Sequence, residues 1–172
     1  GLDYIIEFTG STDRLTLASQ SSSTSSQYWI EAYRIELNGS GASDTIIAPD
    51  LVNGRFQFEI YGLAGNDTIT GRRTTDILDG GDGNDVLDGG GCDSGYDTFI
   101  GGAGDDTLGG VPDSLDWWNV NGNFYIGGTG NDLLRGTRGL DEYQFNLGDG
   151  HDVIDDPMVQ PAFYQTIFEN GG

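Results

Sequence analysis

The apolar positions of the chain follow two different periods. Ahead of residue 62 they alternate with polar ones, most clearly in Phe56-Gln57-Phe58-Glu59-Ile60, and DYIIEF, RLTLAS, YWIEAYRIEL, DTIIA and RFQFEIY share a β-branched and aromatic bias. A period of two puts the apolar residues on one face of a strand, so residues 1–61 are predicted to be β-structure. Beyond that point single large apolar residues are spaced more widely: Ile69, Leu78, Leu87, Phe99, Leu108, Leu134, Tyr143 and Ile154. Each stands two positions after an aspartate: Asp67, Asp76, Asp85, Asp97, Asp106, Asp132, Asp141 and Asp152.

The frame behind that spacing is a glycine-rich unit of nine residues. From Gly62 the chain reads GLAGNDTIT, GRRTTDILD and GGDGNDVLD, then GGGCDSGYDTFI with three extra residues, then GGAGDDTLG. GGTGNDLLR begins at Gly127, GTRGLDEYQ at Gly136, and LGDGHDVID at Leu147 is a weaker last copy. One such match would mean little, because Gly and Asp are common in turns; eight in nearly constant register define a repeat. Glycine permits positive φ and a tight turn that leaves backbone carbonyls free to point inward. The apolar residue marks a short strand facing a thin core. One nonapeptide cannot bury that side chain alone, so the units are predicted to stack as an all-β solenoid.

This pattern resembles the RTX, or haemolysin-type, calcium-binding repeat, whose consensus is GGxGxDxUx with U large and apolar. The likeness is close over residues 62–109 and 127–155. It implies a right-handed parallel β-roll with two nonapeptides per turn. It also implies several Ca²⁺ ions between loops stacked on the same side, held by Asp carboxylates and backbone carbonyls. Transferred to this chain, the carboxylates are Asp67, Asp76, Asp85, Asp97, Asp106, Asp132, Asp141 and Asp152. The loop glycines are Gly65, Gly80, Gly81, Gly83, Gly101, Gly102, Gly104, Gly127, Gly128 and Gly130. The expected pairs are Asp67 with Asp85 and Asp85 with Asp106 on one edge, and Asp76 with Asp97 on the other. Asp132 and Asp152 form a later pair, with Asp141 opposite. Leu63, Arg72 and Thr137 replace the second glycine and Thr74 the fourth, so the Asp76 and Asp141 loops are expected to bind weakly or to act only as turns. Gly91, Cys92 and Asp93 are expected to bulge from one loop.

Composition narrows the chemistry. There are 28 acidic residues against 7 basic ones, all Arg, for a formal charge of -21. Residues 62–156 hold 19 acids and 4 arginines, a net -15; residues 1–61 hold 8 acids and 3 arginines, a net -5. Such a body repels itself until a cation neutralises it, and it lacks the basic footprint that nucleic acid or an anionic membrane surface requires. Calcium, a hard ion taking about 6–8 oxygens in flexible geometry, suits mixed carboxylates and carbonyls. Magnesium demands a tighter octahedron, and zinc wants His and Cys clusters, whereas His151 and Cys92 are single copies. A lone cysteine also rules out an internal disulfide. No apolar run approaches the roughly 20 residues of a membrane span. The chain opens Gly1-Leu2-Asp3 without Met or signal peptide, and we expect it to be a piece of a larger secreted bacterial protein, extracellular or on the cell surface.

Three regions are expected: wider solenoid coils over 1–61, the roll over 62–156 with an irregular insertion at 110–126, and a C-terminal flank over 157–172. A separate small β-sandwich is the alternative for the first. Asp44-Thr45-Ile46 and the segment leading to Asp13 and Leu15 look like decayed repeats, and the Ser-rich residues 19–26 read as a loop. In the insertion, Asp116 and Asn123 are candidate stand-in ligands. Its Trp117, Trp118, Phe124 and Tyr125 suit core or loop anchoring better than a sugar platform. The tail from Tyr143 through Phe145, Gly148, Asp149, Gly150, Asp152 and Ile154 to Ile167-Phe168 resembles the segment that closes such rolls. No nucleophile–base pair is available to the single His151, and the Gly-rich loops lack the following Lys-Ser/Thr of a phosphate cradle, so the piece reads as non-catalytic. An ice-binding array is rejected because Thr129-Gly130-Asn131-Asp132 occurs once. The competing reading is an interaction module that contacts polysaccharide or neighbouring copies in a surface assembly.

Overall fold

A computed structural model describes residues 4–7, 33–49, 56–91, 96–109, 122–156 and 167–169. Their regular structure is entirely β, and it forms two parallel sheets. One sheet contains, in spatial order, β1 (Tyr4–Glu7), β2 (Tyr33–Asn38), β4 (Phe56–Ala64), β6 (Ile77–Asp82), β8 (Thr98–Ala103), β10 (Phe124–Thr129), β12 (Glu142–Phe145) and β14 (Ile167–Glu169). The other contains β3 (Thr45–Ile47), β5 (Thr68–Thr70), β7 (Val86–Asp88), β9 (Thr107–Leu108), β11 (Leu133–Arg135) and β13 (Val153–Asp155). From β2 to β13 the chain alternates between the sheets, so two nonapeptides carry it once around and successive turns stack. This is the β-solenoid that the repeat predicts.

The period of nine explains the core. Alternate repeats contribute their apolar residue to opposite sheets. One ladder runs Leu37, Ile60, Leu78, Phe99, Tyr125, Tyr143, and the other Ile46, Ile69, Leu87, Leu108, Leu134, Ile154. All but Ile154 are buried, and Ile154 packs partly covered against them. Over the repeats the core is therefore only two side chains wide, with Ile35, Ala48 and Phe58 added to it in the N-terminal turns, and each strand's neighbours lie on adjacent turns. Where it becomes aromatic the rings stack: Phe99 on Tyr125 at 5.1 Å between centroids, and Tyr125 on Tyr143 at 5.0 Å. The Tyr125 hydroxyl is satisfied by donating to the Arg135 carbonyl at 2.8 Å.

Insertions leave this register intact. Leu78 and Phe99 are direct partners despite the three extra residues between them, and Phe99 pairs with Tyr125 across the longer irregular stretch. Extra residues are tolerated at a turn because lengthening a loop costs little once its ends are held. On the N-terminal side β2 and β4 pair in the same parallel sense as the repeats, and β4 runs through residue 61 without a break. At the other end β14 pairs with β12. Asp13, the Ser-rich segment 19–26, Cys92, Asp93, Asp116, Trp117 and Trp118 lie outside the described residues. Among the described residues no helix is long and apolar enough to cross a membrane.

Candidate metal centre

Each repeat places its sixth-position aspartate just ahead of a sheet strand, so the aspartates line up along the two edges of the stack. On the first edge, the N–H of Asp67 donates to Oδ1 of Asp85 at 2.7 Å. The N–H of Asp85 donates likewise to Asp106 at 2.8 Å, that of Asp106 to Asp132 at 2.8 Å, and that of Asp132 to Asp152 at 3.0 Å. Asp44 extends this edge, its N–H donating to Oδ1 of Asp67 at 2.7 Å. On the second edge Asp76 donates to Asp97 at 2.9 Å, Asp97 to Oδ1 of Asn123 at 3.0 Å, and Asn123 to Asp141 at 2.7 Å. The expected partners Asp67/Asp85, Asp85/Asp106, Asp76/Asp97 and Asp132/Asp152 are thus neighbours. Asp106/Asp132 is a further pair, hidden in the sequence by an offset of 26 residues. Asn123, one of the two stand-ins considered, occupies an aspartate's place.

The glycines act by position. In the first-edge loops the second-position residues Gly81, Gly102 and Gly128 have φ of 98°, 107° and 102°, and the fourth-position Gly65, Gly83, Gly104 and Gly130 lie at 122° to 138°. These are values that only glycine adopts without strain. A Cβ on Gly83, Gly104 or Gly130 would also run into the carbonyl oxygen of Gly65, Gly83 or Gly104 on the preceding turn, so these carbonyls face along the stack. The first-position Gly80, Gly101 and Gly127 serve differently. Each leaves room for Oδ2 of its own repeat's aspartate, which a Cβ would strike, and beside Gly101 the carbonyl of Gly127 lines the same space. Leu63 takes the second position at φ 79°, as a strained stand-in for glycine with its side chain half exposed.

The carboxylates are buried at a cost. Asp67, Asp85, Asp106 and Asp132 are 1–2% exposed, and in all four Oδ2 has no hydrogen-bond partner. Burial pushes Asp67 and Asp132 up to about 6 and Asp106 to about 7, against the lowering effect of the backbone N–H that each Oδ1 accepts, with neighbouring carboxylates adding to the rise. Burial raises Asp85 as well. On the second edge it raises Asp76 and Asp141 to about 6 and Asp97 to about 8. A buried carboxylate oxygen without a donor is unfavourable unless something positive takes its place.

Calcium fits this arrangement. Among the described residues no three His, Cys, Asp or Glu side chains converge, which disfavours a zinc-type cluster. A cation held here would find carboxylate oxygens and backbone carbonyls together, the mixture that calcium accepts. Asp67, Asp85, Asp106 and Asp132 offer carboxylate oxygens without a partner, and the carbonyls of the loop glycines face the adjacent turn.

Beside the aspartates runs a second polar ladder that sequence reading missed. The N–H of Asn66 donates to Oγ of Ser43, that of Asn84 to Oδ1 of Asn66, that of Asp105 to Asn84, that of Asn131 to Asp105 and that of His151 to Asn131, at 2.8–3.3 Å. Its sequence signal is the polar fifth position of these repeats, Asn66, Asn84, Asp105, Asn131 and His151.

Comparison with protein families gives one result: residues 61–91 and 93–110 match the model of the RTX calcium-binding nonapeptide repeat, in four copies. No curated protein and no solved structure matches the chain.

Proposed function

We propose that this chain, a β-solenoid carrying RTX calcium-binding nonapeptide repeats, is a module that completes its fold on meeting extracellular calcium and thereby supports the export and stability of a larger protein. The observation that carries this reading is the row of buried, unpartnered Oδ2 atoms on Asp67, Asp85, Asp106 and Asp132. In the unfolded chain these oxygens are hydrated. In the folded chain they repel and lack donors, so the free energy of cation binding becomes folding free energy. Extracellular calcium sites commonly bind at about 10⁻⁴–10⁻³ M, which leaves them empty in a cytosol and filled outside. On this reading the module is non-catalytic, its carboxylates being committed to the edges of the roll. The regions are 1–61 as wider coils, 62–156 as the roll and 157–172 as its flank; the 23-residue offset from Asp44 to Asp67 supports the wider coils.

The test is far-UV circular dichroism of the chelator-stripped chain titrated with calcium, with magnesium as control. A cooperative gain of β signal with calcium alone is expected. A fold complete without calcium and indifferent to it would favour the interaction-module reading, in which the roll is a scaffold for polysaccharide or neighbouring copies.

A further inference from the structure

The two edges of the roll are not chemically equivalent, and the difference is set by the residue at the second position of each loop. At Leu63, Gly81, Gly102 and Gly128, all of positive φ, the aspartate four residues on is buried and keeps an unpartnered Oδ2. Where the second-position residue lacks positive φ, its N–H turns inward and closes on that oxygen. Arg72 N–H donates to Oδ2 of Asp76 at 2.6 Å, and Thr137 N–H to Oδ2 of Asp141 at 2.7 Å. Hydroxyls complete the closure: Thr74 Oγ1 donates to Oδ1 of Asp76 at 2.9 Å, and Thr137 Oγ1 lies 3.2 Å from Oδ1 of Asp141. The same rule holds at the start of the first edge, where the N–H and Oγ of Ser40 both reach Oδ2 of Asp44, at 2.6 and 2.9 Å.

We infer that calcium loads one edge of this roll only, at the loops of Asp67, Asp85, Asp106 and Asp132, while the edge of Asp76, Asn123 and Asp141 is a metal-independent seam. A carboxylate whose Oδ2 accepts an N–H and whose Oδ1 accepts both an O–H and the N–H of another turn has most of its acceptor sites taken, as Asp76 and Asp141 do, and Asn123 brings no charge. Asp97 follows a glycine of positive φ, Gly90, but stands between the closed Asp76 and the neutral Asn123 and has no free carboxylate with which to share an ion. The acidic cluster alone does not separate the edges; the unpartnered oxygens, each in a residue at least 98% buried, do. The consequence is an asymmetric module: calcium tightens one edge, and the chain's own backbone donors hold the other.

This inference rests on the calcium reading above, and its test keeps the two apart. Bound calcium is counted on the whole chain by equilibrium dialysis with atomic emission, at saturating calcium, with circular dichroism on each sample. Asp106→Asn is expected to bind fewer ions than the native chain, and Asp76→Asn and Asp141→Asn the same number. Equal loss in Asp76→Asn or Asp141→Asn with the roll still folded overturns the one-edge assignment and leaves calcium binding standing; a native chain that binds no calcium overturns the reading beneath it. The double variant Arg72→Gly, Thr74→Gly decides the matter independently of whether Asp76→Asn folds. It restores the glycine pattern beside Asp76 and is expected to bind more ions than the native chain, and no gain refutes the rule.

Discussion

Asp85→Asn is the most informative single change, because it should act with opposite sign with and without calcium. Asparagine keeps the shape and the Oδ1 that accepts the Asp67 N–H at 2.7 Å, but replaces the buried, unpartnered Oδ2 by an amide. Without calcium the change removes a charge from a site that is 1% exposed, where an unsatisfied polar group costs about 1–3 kcal/mol. The amide is neutral and ends the burial of an unpaired charge, so we expect the calcium-free variant to gain about 1 kcal/mol. With calcium the sign reverses. At 10 mM calcium and dissociation constants of about 10⁻⁴–10⁻³ M, each filled site stabilises the fold by about 1.4–2.7 kcal/mol. Asp85 lies between Asp67 and Asp106 and faces two interloop spaces, so its loss should remove about 3–5 kcal/mol. The assay is urea unfolding followed by circular dichroism, in chelator and in 10 mM calcium. Destabilisation of the same size in both buffers would refute the reasoning, since it would make Asp85 a structural hydrogen-bonding residue with no metal to hold.

The pH response of the calcium-free chain should also be inverted relative to most proteins. Burial raises Asp67, Asp76, Asp132 and Asp141 from an unfolded value of about 3.9 to about 6, Asp106 to about 7 and Asp97 to about 8, so the folded state binds more protons, and stability falls as pH rises from the unfolded value through these. The urea midpoint in chelator should therefore be higher at pH 5 than at pH 8, and with saturating calcium, which needs the ionised form, the order should reverse; a calcium-free midpoint that climbs with pH would contradict the burial argument. Leu63→Gly should stabilise the chain by about 1 kcal/mol by relieving the strained φ of 79°, read as a rise in urea midpoint. Gly104→Ala should cost more than about 2 kcal/mol, because it strains a φ of 132° and drives a Cβ into the Gly83 carbonyl. Tyr125→Ala should cost about 3–5 kcal/mol through the lost ring between Phe99 and Tyr143, measured in the presence of calcium.

Much of this molecule could be read before it was seen. A repeat of nine with one apolar residue in it determines which side chains meet, because contacts in a solenoid run only to the adjacent turns. Ile69 over Leu87, and Asp67 beside Asp85, follow from counting. Glycine at the second and fourth positions follows equally, since a carbonyl of the neighbouring turn sits where a Cβ would be. Counting fails wherever the coil takes in extra chain. The pair Asp106 and Asp132, and the substitution of Asn123 for an aspartate, appear only when the strands on either side of the insertion are laid in register. It fails again over the second position of each loop. Sequence marks Leu63, Arg72 and Thr137 alike as departures from glycine, yet Leu63 adopts positive φ while Arg72 and Thr137 turn their N–H groups onto Asp76 and Asp141. The sign of that one backbone angle is set by how the loop packs against the turns around it. It decides whether a buried carboxylate is closed by its own backbone or left open to a cation.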